Sequence, residues 1–224
     1  MVSVIVPTLN ESARIAATLS ALQEIRSSGH EVILVDGGSE DGTRDAAAPW
    51  VDRVLVGPVG RSLQLNAGAR KAGGDTLLFL HADTLVPPEA MTAFLDGFPP
   101  SQQVWGWFDV TLSGRHFMFR VVETLMNVRS RLTRITTGDH AIFVKRATFE
   151  EVGGYPQIPL MEDIAISHLL KRQGRPFVPG RRIVTSSRRW EEKGILRTIV
   201  LMWRLRLAYA FGADPHDLAR SYYA

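Results

Sequence analysis

A carboxylate closes the stretch Thr76-Leu-Leu-Phe-Leu-His81-Ala82-Asp83. Its uninterrupted apolar run has the length of a strand buried on both faces, so the chain delivers Asp83 to the end of a central strand. Ligands of open α/β sheets gather beyond the carboxyl ends of the strands, which puts Asp83 where chemistry is usually done. Taken alone it reads equally well as a turn residue, since Asp before Thr84 and Pro87-Pro88 is good turn chemistry. Three other constellations follow strand-like or helix-opening positions. In Pro7-Thr8-Leu-Asn10-Glu11, Asn10 can cap a helix beginning at Glu11, whose charge suits the positive end of that helix. In Asp36-Gly37-Gly-Ser39-Glu-Asp41-Gly-Thr43, two glycines let the backbone approach a ligand closely, and Asp36 can accept a hydrogen bond from a base or ribose. In Gly60-Arg61-Ser-Leu-Gln-Leu-Asn66-Ala-Gly68, Arg61 adds positive charge to a helix start already suited to a phosphate. Loops of this kind converging on Asp83 would make a site for a nucleotide with magnesium or manganese on its phosphates, because such an ion needs only one or two protein carboxylates. His81 could add an imidazole, which manganese tolerates better than magnesium.

The elements that must position these residues alternate. Strands are expected at 2–6, 31–35, 53–56 and from 76, with helices over 11–25, from 39, and over 62–72. Alternation of this kind implies an α/β fold with a mostly parallel central sheet flanked by helices. Beyond Pro99-Pro100 the pattern becomes mixed: an extended segment over 104–112, a long amphipathic helix over 115–132, a strand over 141–145, a helix over 161–172, and a helix rich in Leu, Ile, Val and Trp over 195–211. Residues 1–100 read as a nucleotide-binding half, 101–190 as the opposite side of the cleft, and 191–224 as a helical end.

With 224 residues, 45% of them hydrophobic, the chain can bury one substantial core, and a single domain is the simplest count. It has no cysteine, which excludes disulfides and thiolate metal sites and suits a reducing, cytoplasmic compartment. No basic region followed by an apolar stretch and a cleavage site opens the sequence. The net charge is only +3, yet basic residues concentrate after Lys171, so an anionic partner is expected there: phosphates or an acidic membrane surface ahead of nucleic acid. Arg197, Arg204 and Arg206 interrupt the last helix and argue against a membrane span. It can instead lie at an interface with Trp203 and Tyr209 at headgroup level, or pack on the core.

The ordered set Pro7-Thr8-Leu-Asn10-Glu11, Asp36-Gly-Gly-Ser-Glu-Asp41-Gly-Thr, Asn66-Ala-Gly68 and His81-Ala82-Asp83 resembles the family 2 glycosyltransferases over residues 2–190. The resemblance implies the GT-A fold, a sugar-nucleotide donor and an inverting transfer. The short chain and Thr137-Gly-Asp139-His140-Ala-Ile-Phe143 resemble the small bacterial selenodomain-associated (rSAM-associated) transferases, near some carotenoid glycosyltransferases. By this resemblance Asp36 binds the base, usually uracil, and Pro7, Thr8, Asn10, Glu11, Gly37, Arg61, Asn66 and Ala82 belong to the nucleotide pocket. Asp83 matches the last acid of the Asp-X-Asp motif, the ligand of a divalent cation, Mn2+ or Mg2+, and His81 replaces the first acid. Glu162-Asp163 matches the Glu-Asp pair before a helix in which the aspartate is the catalytic base; the residues by themselves would make an ordinary acidic first turn. Arg188-Arg189-Trp190 partly resembles a motif of processive synthases, but Ser186 stands in its first position, so processive polymerisation is not expected. Asp139 and His140 are placed to face the acceptor, and Trp107 to stack on a sugar or close a lid with Trp105. The basic, apolar end over 171–211 suits a lipid-linked or carotenoid-like acceptor at the inner face of a membrane, and equally a homodimer interface.

Two other classes compete. A sugar-nucleotide nucleotidyltransferase should carry a glycine-rich, arginine-containing loop after its first strand, where this chain has Pro7-Thr-Leu-Asn. A non-catalytic binding protein on the same fold would keep the glycines and lose Asp36, Asp83 and Asp163. A dehydrogenase is disfavoured because no Gly-X-Gly-X-X-Gly follows a strand.

Overall fold

The structure is a computed structural model and describes residues 1–223. It opens with β1 (Val2–Thr8), α1 (Ser12–Ser20), α2 (Gln23–Ser27), β2 (Glu31–Asp36), α3 (Thr43–Ala47), β3 (Arg53–Val56), α4 (Arg61–Lys71) and β4 (Thr76–Phe79). Then come β5 (Thr84–Leu85), α5 (Pro88–Gly97), β6 (Trp105–Gly106), β7 (Asp109–Leu112), α6 (Phe117–Thr133) and β8 (Phe143–Lys145). The chain closes with α7 (Arg146–Glu151), α8 (Glu162–Gln173), β9 (Arg182–Thr185), α9 (Arg188–Lys193), α10 (Ile195–Ala210) and α11 (Pro215–Tyr223).

The main sheet runs β3-β2-β1-β4-β8-β6, parallel through its first four strands and antiparallel where β8 pairs with β4 and β6 with β8. β1, β2 and β4 are buried throughout, as expected for strands covered on both faces. Alternate side chains feed two cores: Val4 and Val6 of β1 join Ile15, Leu19, Phe94 and Phe98 on one side. Ile5 joins Val35, Leu65, Leu77, Phe79, Trp105 and Trp107 on the other. Each fully buried side chain of this size contributes roughly 1.5–3 kcal/mol. The pairing aligns Thr8 with Asp36 and Asp36 with Val56, so the first three strands end side by side.

The expected 11–25 helix is two helices, because Leu22 donates to the carbonyl three residues back and bends the chain while Leu22 and Ile25 stay buried. The segment over 104–112 splits: β6 extends the main sheet, whereas β7 joins β9 and β5 in a second, three-stranded sheet. The helix expected from residue 39 begins at Thr43, since Asp36 and Asp41 hold the intervening loop. No helix among the described residues is long and apolar enough to cross a membrane.

Candidate functional site

The loops after β1 and β2 are laced together. Asn10 adopts a left-handed conformation (φ 55°); its backbone N–H donates to Ser39 Oγ at 2.8 Å, and its side-chain oxygen accepts from the Glu40 N–H at 3.0 Å. Asn10 therefore joins two loops instead of capping α1, whose N-cap position is Glu11 without a side-chain cap bond. Asp41 performs that task by accepting from the N–H groups of Ser12 and Thr43, and with the Thr43 hydroxyl these bonds hold its carboxyl well below the ordinary range. Asp36 is wholly buried and accepts from the N–H groups of Gly38 and Ser39 and from the Ser39 hydroxyl, with Arg44 Nε of α3 3.7 Å from its Oδ2, so its oxygens are committed to its own loop and to α3. A Cβ at Gly37 would lie 3.0 Å from Gln64 Nε2, which donates to the carbonyls of Thr8 and Val35. Thr8 is buried with its hydroxyl unpartnered, next to Pro7 at the end of β1.

Glu11 is bound from far along the chain. Arg188, at the start of α9, donates to Glu11 Oε1 at 3.1 Å, while Glu11 Oε2 is buried without a partner. Burial opposes the Arg188 charge, but Glu11 and then Asp83 outweigh it and raise its pKa. Asp83 is half-buried beyond β4, and its charge is felt at that guanidinium. The carbonyl of its neighbour Ala82 accepts from Thr18 Oγ at 2.6 Å, which pins the turn.

On the facing side, Met161 takes a left-handed conformation (φ 69°) and turns the chain into α8, presenting Glu162 and Asp163 at its N-terminus. Arg61, the first residue of α4, lies 3.3 Å from Glu162 Oε1. Burial raises the Glu162 carboxyl and Arg61 opposes the shift; the charges of Glu162, Asp163 and Asp139 in turn raise Arg61 against its own desolvation. Asp163 accepts from the Gly138 N–H at 2.8 Å and from the Ile164 N–H at 2.7 Å, tying the 137–140 loop to α8. His81 Nδ1 lies 3.4 Å from Asp139 Oδ1, and its Nε2 packs so closely on Gly138 that a Cβ there would fall at 2.3 Å. Desolvation raises Asp139, but the His81 hydrogen bond and charge, with Arg61, bring its pKa down to about 2. Arg61, His81, Gly138, Glu162 and Asp163 share one recess with Phe79 and Tyr155. At about 10 Å³ it is too small for a sugar, and it lies between the starts of α4 and α8 and the end of β4.

Three expected ligand contacts are spent inside the fold. Asn66 donates to the Tyr155 carbonyl at 2.8 Å and accepts from the Tyr155 N–H at 2.9 Å, clamping the loop before α8 instead of facing a nucleotide. His140 is wholly buried, its Nδ1 2.9 Å from the Phe108 carbonyl and its Nε2 3.4 Å from Ser130 Oγ, and burial lowers its pKa to about 4. Trp107 is wholly buried beside Trp105, ring centres 5.4 Å apart, and stacks on no acceptor. Asp139 is the member of that group whose side chain stays in reach of solvent, 44% accessible. Conversely, sequence reasoning missed Gln64, whose signal was an amide inside an otherwise small and apolar helix face, and the pairing of Arg188 with Glu11.

No group of three His, Cys, Asp or Glu side chains that could hold a metal occurs among the described residues. His81 is turned to Asp139, so it does not complete a metal site with Asp83. Asp83 makes no hydrogen bond or ion pair with the described residues, which fits an ion held by one protein carboxylate and mainly by a ligand's own phosphates.

Residues 3–152 match the family described as Glycosyl transferase family 2. Over 168 residues the chain is 32% identical to the PGL/p-HBAD biosynthesis glycosyltransferase of Mycobacterium tuberculosis, an alignment covering 69% of this chain and 63% of that relative. It is 35% identical over 134 residues to the undecaprenyl-phosphate 4-deoxy-4-formamido-L-arabinose transferase of Aeromonas hydrophila, covering 50% of this chain and 41% of the other. Among solved structures, the mannosyltransferase PcManGT of Pyrobaculum calidifontis, in complex with GDP-Man and Mn2+, superposes with a TM-score of 0.66 at 27% identity over 92% of this chain and 60% of that one. S. aureus TarS 1-349 in complex with UDP-GlcNAc gives 0.64 at 17% identity, covering 83% and 58%. The chain thus spans between about two fifths and three fifths of the length of these relatives, and its fold is GT-A.

Proposed function

Since this chain belongs to glycosyl transferase family 2, we propose that it is an inverting glycosyltransferase, moving a sugar from a nucleoside-diphosphate donor, a UDP-sugar in the first instance, to an acceptor hydroxyl or carboxylate on a lipid-linked molecule. The observation that carries this reading is the meeting of Asp163, Glu162, Arg61 and His81 in one recess, with Asp83 uncommitted beyond β4. PcManGT, crystallised with GDP-Man and Mn2+, supports a nucleotide-sugar donor and keeps GDP as the competing base. The name of the Aeromonas relative supports a lipid phosphate as the class of acceptor, in keeping with the resemblance to rSAM-associated transferases and with a peripheral membrane contact through α10.

In the proposed mechanism Asp163 takes the proton of the acceptor hydroxyl, whose oxygen forms a bond to the anomeric carbon as the bond to the departing diphosphate breaks on the opposite face. Its hydrogen bonds to Gly138 and Ile164 fix the carboxylate in place. Glu162, buried on Arg61, positions that arginine at the positive end of α4, where it faces developing diphosphate charge. Glu11, held by Arg188, and the Thr8 hydroxyl line the nucleotide side. Asp83 would hold Mn2+ or Mg2+, which on binding supplies charge neutralisation at the diphosphate. Asp36 supports the base-binding loop through its own backbone, so a direct bond from its carboxylate to a base would require that loop to give up Ser39.

Calorimetric titration of UDP and of GDP, each with and without manganese, into the wild type and Asp83→Ala tests the donor site. Metal-dependent binding of one nucleotide that weakens at least tenfold in the variant is expected. Failure of a folded wild type to bind either nucleotide would replace this reading with that of a non-catalytic scaffold.

A further inference from the structure

A second cavity, of about 450 Å³, opens between α6, α8 and α10. Arg129, Arg206 and His168 supply its polar wall, Ile135, Ile164 and Tyr209 its apolar one, and no carboxylate lines it. Arg129 donates to Ser130 Oγ at 3.1 Å, but its Nε is buried with no partner, and neither arginine forms an ion pair among the described residues. Burial lowers the Arg129 pKa, and the charges of Asp163 and Asp139 oppose that shift.

The cavity adjoins the recess that holds Asp163. Ile164, in its wall, follows Asp163 directly, and the Asp163 charge is felt at both Arg129 and Tyr209. Outside it, two of the three bounding helices carry an exposed apolar stripe: Val121, Leu125, Val128 and Leu132 on α6, and Val200, Trp203 and Leu207 on α10 with Phe211 just beyond it. The spacing of three and four residues places each set on one helix face. The stripes run up to the cavity, since Leu132 precedes Thr133 and Phe211 follows Ala210 in its rim. An oxyanion hole edged by two unpartnered apolar faces is shaped for one kind of ligand.

We propose that this cavity binds the anionic head, phosphate or carboxylate, of an amphiphilic acceptor, whose apolar tail lies along α6 and α10. The proposal rests on the transferase reading for the word acceptor, but not for the binding itself. The head is held one residue along α8 from Asp163, and the tail leads away from the cleft toward a lipid surface.

Decyl phosphate, kept below its micelle concentration, is titrated into the wild type, Arg129→Gln and the Arg129→Gln/Arg206→Gln pair, with Trp203 fluorescence as a second signal. Inorganic phosphate and uncharged decyl maltoside form the comparison arms. Decyl phosphate should bind at least tenfold more tightly than either, and the double variant should lose at least tenfold, while nucleotide affinity and melting temperature stay at wild-type values. Equal binding of inorganic phosphate would overturn the amphiphile in favour of a free anion. Equal binding of decyl maltoside, or no loss in the double variant, would overturn the anion site. If nucleotides fail to bind while decyl phosphate behaves as expected, the transferase reading falls and the anion site stands.

Discussion

Asp163 presents both oxygens to backbone N–H groups, one of its own helix and one of the 137–140 loop. An amide keeps the carbonyl half of that arrangement and removes the base. Asp163→Asn is therefore expected to lower turnover by about 10²–10⁴-fold, the scale of positioned base catalysis, while donor affinity changes little. Near-normal turnover, measured at saturating donor, would take Asp163 out of the role. The residues around it are held at a conformational cost: Asn10, Ala141 and Met161, three of the four non-glycine residues with positive φ, each sit beside a site loop. Such geometry leaves no mark in sequence, because nothing about Met161 as a residue type announces a left-handed turn. The places of Asp83 just beyond β4 and of Glu162 and Asp163 at the start of α8 were legible from their motif order. That Asn66 and His140 would be spent on Tyr155 and Phe108 was not, since an amide and an imidazole look the same in a string whether they face a ligand or a backbone.

Element by element, legibility followed burial. β1, β2 and β4 are apolar runs enclosed on both faces, and they lie where their sequence placed them. α5 was hidden because Pro87-Pro88 reads as a break, whereas Pro88 is the first residue of the helix, the one interior position where a missing N–H costs nothing. β9 was hidden because it is four residues long and begins with an exposed arginine, so it gains its strand identity only from its neighbours β5 and β7. α4 shows how tightly one element fixes another. A Cβ on Gly68 would come within 2.4 Å of Ile5 Cγ2 and 3.0 Å of Val35 Cγ2, so the helix rests directly on β1 and β2. Gly68→Val should destabilise the protein by about 1–3 kcal/mol as overpacking pushes α4 from the sheet, read as a lower urea midpoint. It should also weaken nucleotide binding, since Arg61 and Gln64 ride on the same helix. A variant with an unchanged midpoint would show that this contact relaxes without cost.

Across the whole molecule, His140 couples stability to pH. The unfolded chain's imidazole titrates near 6.5, while burial brings the folded one to about 4. Between these values the unfolded state binds a proton that the folded state refuses, so stability present above the upper value declines as pH falls through the window and levels off near the lower one. The total loss is of the order of 3 kcal/mol. His30, also held low by burial, adds to it in the same direction. His140→Asn, which keeps a donor for the Phe108 carbonyl, should start less stable yet show a flatter decline over that range. Parallel curves for variant and wild type, followed by urea unfolding, would assign the pH dependence elsewhere.

The bond between Glu11 and Arg188 joins residues 177 positions apart. Chains are made at roughly 5–20 residues per second, so about 10–35 s separate the synthesis of its two ends. During that interval the parallel strands can pair, with Arg14, 3.9 Å from Glu11 Oε2, as the guanidinium beside that carboxylate. The contact that Arg188 adds to the loop after β1 is therefore among the last to form on the ribosome.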